Sequence, residues 1–180
     1  MNALAHSPGP EAFALREAAK DELAKRTRTE ALLRHQQPAF RRALRHAIIE
    51  RGRTDTAPFE KQRRVLADKS RLRTLCCSRR AGKTAILTRI IASELNEAGF
   101  DEWLVFGALT LSIAKELVWN ELHAIKKRFA LPWKMNDSEL SITTDRGGRF
   151  RLFGVSDKRS IEKVRGKKYR GVICDEASTY

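Results

Sequence analysis

Cysteine is scarce in this chain of 180 residues: there are three, Cys76, Cys77 and Cys174, all in or beside apolar, strand-like runs. Disulfide-stapled domains and structural zinc sites space their cysteines through loops, so neither is suggested, and a reducing compartment fits. Long apolar runs are lacking as well. None approaches the roughly 20 residues that cross a bilayer. Met1 to Pro10 also lacks the basic start and apolar centre of a signal peptide. The expectation is a soluble protein of the cytoplasm with no membrane partner. Acidic residues are outnumbered, 22 against 36 Lys plus Arg, which leaves a formal charge of +14 and a pI near 10.3. Such a balance points to a polyanionic partner. Charge alone does not separate DNA from RNA, from an acidic protein, or from a merely basic soluble chain.

What is present begins with an apolar fraction of 42%, enough for one α/β domain with a real core and too short a chain for two large ones. From Glu11 to Glu50 the composition is Ala, Leu, Arg, Glu and Lys, broken at Gln36-Gln37-Pro38, which predicts two basic helices. Their faces are poor in large apolar residues, so this region reads as an arm onto another subunit or nucleic acid, or as a solvated appendage. Arg51 to Pro58 has turn-forming composition and no periodicity. The expected division is therefore a basic helical region, 1–57, and a nucleotide-binding domain, 58–180.

The organising stretch is Cys76-Cys77-Ser78-Arg79-Arg80-Ala81-Gly82-Lys83-Thr84, between an apolar run, Leu72 to Leu75, and a helical run from Ala85. Strand, tight loop and helix start is the expected order. A nucleotide phosphate needs converging backbone N–H donors, a positive charge, and a hydroxyl that can share a metal with it. Gly82, Lys83 and Thr84 offer these in the order of the P-loop, where Lys reaches the β and γ phosphates and Ser or Thr ligates Mg²⁺. Cys77 replaces the first Gly of that pattern. The bland alternative is a basic turn ahead of an ordinary helix. Ser78, Arg80 and Ala81 complete the candidate ATP loop. Phe59 and Gln62 stand about where many nucleic-acid motor ATPases place an aromatic residue and an adenine-reading Gln, although a surface Gln on a short helix is commonplace.

Downstream, Ile86, Leu87, Ile90, Ile91 and Leu95 recur at helical spacing, with Gly99 as a stop. Trp103 to Gly107 reads as a buried strand and Leu111 to Phe129 as a helix, an alternation that implies a parallel sheet. Leu131 to Asp137 is expected as loop. Ser138 to Thr144 and Arg149 to Val155 are expected as a hairpin around Asp145-Arg146-Gly147-Gly148. Asp145 to Arg170 carries ten Lys or Arg against three Asp or Glu, either a solvated face or a phosphate-contacting one. Finally Val172-Ile173-Cys174 runs into Asp175-Glu176-Ala177. In P-loop ATPases the strand-end Asp holds Mg²⁺ and the adjacent Glu polarises the attacking water.

Taken together, Ser78 to Thr84, Ile161-Glu162-Lys163-Val164-Arg165-Gly166 and Val172 to Ala177 resemble the ATPase half of tailed-phage terminase large subunits, over roughly Pro58 to Ala177. In that family the loop often lacks its first Gly and carries an Arg four residues before the Lys, the position of Arg79. The resemblance implies an α/β P-loop NTPase, its mainly parallel sheet flanked by helices, in which ATP hydrolysis drives double-stranded DNA into a procapsid. It implies that Lys83 contacts phosphates, Thr84 and Asp175 hold Mg²⁺, Glu176 activates water, Arg79 stabilises transition-state charge and Gln62 reads adenine. The portal, the small terminase subunit and a homo-oligomeric ring are the implied partners. The family's coupling motif and C-terminal nuclease domain have no counterpart before Tyr180, so an incomplete sheet and weak activity in isolation are expected. A helicase-like ATPase shares Gln62, the loop and Asp175-Glu176, but Ser178 follows Ala177 where many helicases carry His or Asp. A nucleic-acid-binding assembly protein with a vestigial site is the reading from another class.

Overall fold

The computed structural model describes residues 10–53, 56–77, 81–156, 158–162 and 164–175. It divides into two compact units, Met1–Phe40 and Arg41–Tyr180. In the first, α1 (Pro10–Gln36) is a helix of 27 residues with exposed Phe13, Leu23 and Leu33. The expected break at Gln37 is present, and across it His35 and Phe40 meet edge to face, ring centres 5.1 Å apart.

The second unit is built on a sheet of five strands in the order β2-β3-β4-β1-β5. Their ranges are β1 Glu102–Ala108, β2 Lys134–Asn136, β3 Ser141–Thr143, β4 Arg149–Gly154 and β5 Lys168–Cys174. β1 pairs in parallel with β4 on one side and β5 on the other, while β2, β3 and β4 form an antiparallel meander. The sheet is therefore mixed, which corrects the expectation of a mainly parallel one. Helical crossovers make parallel pairs and tight turns make antiparallel ones, and the chain from Trp133 to Gly154 uses turns.

β1 shows why it is central. Its residues alternate between two faces, Leu104, Phe106 and Ala108 to one and Val105 to the other, and all are buried. The first face carries the main core. There Ile91 and Leu95 of α4 (Lys83–Glu97), Leu44 and Ile48 of α2 (Pro38–Arg51), and Phe150 and Ile142 of the meander close on it. The opposite face holds a small cluster of Val105, Phe153 and Val164. Gly107 lies directly under the Phe153 ring, which leaves no room for a Cβ.

The helix expected over Leu111 to Phe129 forms with an interruption: α5 (Leu111–Ala114), a π-helical turn (Lys115–Trp119), then α6 (Asn120–Arg128). The wider turn delivers Trp119 into the core at 1% exposure. Its indole N–H is satisfied by Asp137 Oδ1 at 2.7 Å, which also receives His123 Nε2 at 3.0 Å. The Trp119 and His123 hydrogen bonds hold the Asp137 carboxyl below the usual carboxylate range. A depressed carboxyl stabilises the fold above its unfolded pKa of about 3.9 and ceases to as pH falls through the lower folded value. The expected result is that Asp137→Asn flattens the acid limb of stability, read by Trp fluorescence below about pH 4.

Three further segments differ from expectation. Lys134–Asn136 is a strand where a loop is expected, because it pairs antiparallel with β3 while Trp133 and Met135 pack on the core. Asp137 to Leu140 is a turn rather than the start of β3: Asn136 Oδ1 accepts from the Ser138 and Glu139 amides, and Leu140 takes φ +49°. The strand expected over Leu72 to Leu75 does not form. That backbone pairs with no strand among the described residues, and Leu72 is 88% exposed. Apolar composition makes a strand only where a neighbour exchanges hydrogen bonds with it.

Candidate functional site

Helix α4 begins where the sequence places it. Gly82 is its N-cap, in the left-handed region at φ 76°, and Lys83 and Thr84 follow as its first residues. The first turn of a helix leaves N–H groups without intrahelical acceptors and carries a partial positive charge, which suits an anion. At the other side of the site, β5 ends at Cys174, and the Asp175 amide donates to Gly107 O at 3.0 Å, so β1 holds the carboxylate's backbone in place. Lys83 Nζ stands 4.0 Å from Asp175 Oδ1, with 36% and 17% of the two side chains exposed. Residues far apart in sequence thus converge as a cation, a carboxylate and a hydroxyl-bearing helix start.

Gln62 reaches the same loop. Its amide donates to Ala81 O at 3.3 Å, and its Oε1 accepts from the Phe59 amide at the start of α3 (Glu60–Ala67). The Phe59 side chain itself is exposed. A Cβ on Gly82 would come within 2.5 Å of Gln62 Nε2. Gly82→Ala is expected to lose about 1–2 kcal/mol of stability from the left-handed backbone alone, measured by denaturant unfolding. Ser78, Arg79, Arg80 and Glu176 lie outside the described residues.

Thr84 and Asp175 are oxygen donors, the chemistry that Mg²⁺ takes when one or two carboxylates share it with phosphates. Among the described residues no group of three or more His, Cys, Asp or Glu stands together as a metal cage. A donor set this small fits a metal held largely by its ligand's phosphates. Two cavities are also present. A shallow one of about 620 Å³ lies beside His123, Lys127 and Leu131, and one of about 210 Å³ lies beside Ala85, Thr88, Arg53 and Glu121, one turn along α4 from Lys83.

The basic run from Asp145 to Arg170 is not one uniform face. Arg149 and Lys167 sit over the Trp103 ring at 5.3 and 5.1 Å. Arg151 pairs with Glu139, Arg165 with Glu162, and Arg146 donates to Glu97 O. Arg170 bridges Glu94 and Glu102 at 3.0 and 3.3 Å. The Gly99 amide, and after it Arg170, hold the Glu102 carboxyl below its ordinary value. Lys158 and Lys168 are exposed. Several of these charges therefore serve the fold, a division of labour that sequence cannot show because the partners lie up to 76 residues away.

These features define a mixed α/β domain whose helix N-terminus faces a strand-end aspartate. The chain belongs to the family described as terminase large subunit, T4likevirus-type, N-terminal, whose model matches residues 75–180. Among solved structures it is similar to the large terminase of a thermophilic bacteriophage: 25% identity, TM-score 0.54, covering 67% of this chain and 32% of that one. The same phage's large terminase in complex with ADP matches at 24% identity and TM-score 0.45, over 55% of this chain and 25% of that one. The chain thus spans about a third of the length of the solved terminase, 32%. No curated protein matches it. No helix among the described residues is long and apolar enough to cross a membrane.

Proposed function

We propose that this chain is the ATP-hydrolysing part of a phage DNA-packaging motor, in which Lys83 and Asp175 receive the phosphates and metal of ATP. The observation that carries the reading is their convergence at 4.0 Å beside the N-terminus of α4. Membership of the terminase large-subunit family supports the motor context. In this reading the amides at the start of α4 and the Lys83 ammonium take the β and γ phosphates. The Thr84 hydroxyl and Asp175 carboxylate hold Mg²⁺, which supplies charge neutralisation on the transferring phosphoryl group. With metal and nucleotide bound, Asp175 would serve as the metal's carboxylate ligand and Lys83 would supply positive charge to the phosphates. Glu176 activates water, Arg79 offsets developing charge, and Gln62 and Phe59 flank the adenine. Double-stranded DNA is the substrate moved, with the portal, the small terminase subunit and further copies of the chain as partners, in the host cytoplasm.

Binding of ATP with Mg²⁺ by the purified chain, compared with Lys83→Ala, tests the site. Equal affinity in the two proteins would end the nucleotide reading. Stimulation of hydrolysis by double-stranded DNA, in a chain extended to the length of the solved phage terminase, tests the motor; an ATPase indifferent to DNA removes that part.

A further inference from the structure

Arg170 occupies an unusual place in β5. The pairing with β1 runs Trp103 to Tyr169 and then Leu104 to Gly171, so Arg170 is an extra residue with no partner on β1. A bulge breaks the alternation of a strand and re-aims the side chain that it carries. Here the side chain goes to two carboxylates. Arg170 Nε donates to Glu94 Oε2 on α4, and its terminal nitrogen donates to Glu102 Oε2 at the start of β1. Glu94 uses its other oxygen to accept from Arg45 at 2.9 Å, and Glu102 also accepts from the Gly99 amide at 2.9 Å. About a quarter of each of these three side chains is exposed: 29% for Arg170, 26% for Glu94 and 25% for Glu102. A forked guanidinium suits such a two-sided site, and a Lys cannot reproduce it.

The lengths match. From Lys83 to Glu94 the helix rises about 16 Å at 1.5 Å per residue. From Arg170 to Asp175 the strand rises about 16 Å at 3.3 Å per residue. α4 and β5 run in opposite directions and are fastened at both ends, Lys83 to Asp175 at one and Glu94 to Arg170 at the other. With β5 held by its ladder to β1, a shift of α4 along it by one strand residue would displace Lys83 and Thr84 from Asp175 by about 3.3 Å, more than metal coordination tolerates.

We propose that Arg170, the bulged residue of β5, is a positioning residue that ties α4 to the β1–β5 ladder and thereby sets Lys83 and Thr84 beside the Asp175 carboxylate, whose backbone β1 holds, for metal. The inference rests on the nucleotide reading above. It predicts a defect confined to the metal. Partners hydrogen-bonded to a metal ligand typically change metal affinity 10–100-fold when removed; Arg170 acts from a distance through α4, so Arg170→Ala is expected at the lower end, a loss of about tenfold of the affinity that Mg²⁺ adds to ATP binding. Metal-free ATP binding, which uses Lys83 and the helix start, is unchanged.

The experiment titrates a fluorescent ATP analogue into wild type, Lys83→Ala, Arg170→Ala, Arg170→Lys and Glu94→Ala, each with Mg²⁺ and with EDTA, alongside a melting curve. The expected result is loss of the Mg²⁺-dependent gain in Arg170→Ala and Glu94→Ala, with Arg170→Lys intermediate. A folded Arg170→Ala that keeps the full gain overturns the proposal. So does an equal loss with and without Mg²⁺, which marks a merely structural residue. Should Arg170→Ala fail to fold, Arg170→Lys decides, and a gain equal to wild type overturns the proposal. Wild-type binding that Lys83→Ala does not weaken defeats the nucleotide reading itself and this inference with it. Lys83-dependent binding with an intact Mg²⁺ gain in the Arg170 variants defeats the inference alone.

Discussion

Lys83→Ala is expected to weaken binding of ATP with Mg²⁺ by roughly 10- to 150-fold, because a hydrogen bond to a charged group contributes about 1.5–3 kcal/mol and 1.4 kcal/mol is a factor of ten. The loss should be selective. The pair that Lys83 makes with Asp175 is long, 4.0 Å, and 36% of the Lys83 side chain is exposed. Ion pairs open to solvent contribute about 0–1 kcal/mol, so the melting temperature should move by no more than about 4 °C. Isothermal titration and a thermal melt on the same preparation separate the two effects. A variant that melts far lower would place Lys83 in the scaffold instead of the site. Lys83→Arg, longer and planar where a compact charge is called for, is expected to recover only part of the affinity.

The largest loss of stability is expected at Arg89. This residue lies on α4 among core residues, 6% exposed, with Nη1 donating to Ile49 O at 3.1 Å and Nη2 to Thr56 O at 2.6 Å. Burial pushes its pKa down from the ordinary value, while the Glu50 carboxylate pushes it up. Its guanidinium ties the segment that follows α2 to the helix that starts at Lys83. Gly52 is folded around it at φ +55°, where a Cβ would come within 2.6 Å of Arg89 Nε. Arg89→Leu fills much of the space but leaves the Ile49 and Thr56 carbonyls without the donor they share in a part-buried site, at about 1–3 kcal/mol each where water does not replace it. The expected loss is about 3 kcal/mol, a fall in melting temperature of roughly 6–12 °C for a protein of this size. Arg89→Lys keeps the charge and loses the fork, so it should recover little; full recovery would mean that charge alone matters there. Chemical denaturation followed by circular dichroism reads both variants.

Much of the site is legible in the sequence because its chemistry is local. Gly82-Lys83-Thr84 is a contiguous unit, a left-handed glycine followed by a helix start, and its conformation follows from residues in contact along the chain. β1 is legible for a similar reason, since an apolar run of that length between turn residues has few other outcomes. The failures share one cause. Leu72 to Leu75 has the composition of a strand but no pairing partner among the described residues, and Lys134 to Asn136 has the composition of a loop but meets β3. Whether a segment is a strand depends on its neighbour, and the neighbour is not written beside it.

Composition and contiguous motifs suffice for the family, the net positive charge, the α/β class and the residue types that can face a phosphate and a metal. The tertiary structure decided the rest. It made the sheet mixed by turning the chain back through β2 and β3. It divided the basic run between Trp103, Glu139 and the Glu94–Glu102 pair, and it set a bulge at Arg170. The reason is one of range: helix starts and turns are fixed by hydrogen bonds a few residues apart. Strand register and ion pairing are fixed by residues that meet only after the sheet has formed, and the distance between Lys83 and Asp175 belongs to that second kind.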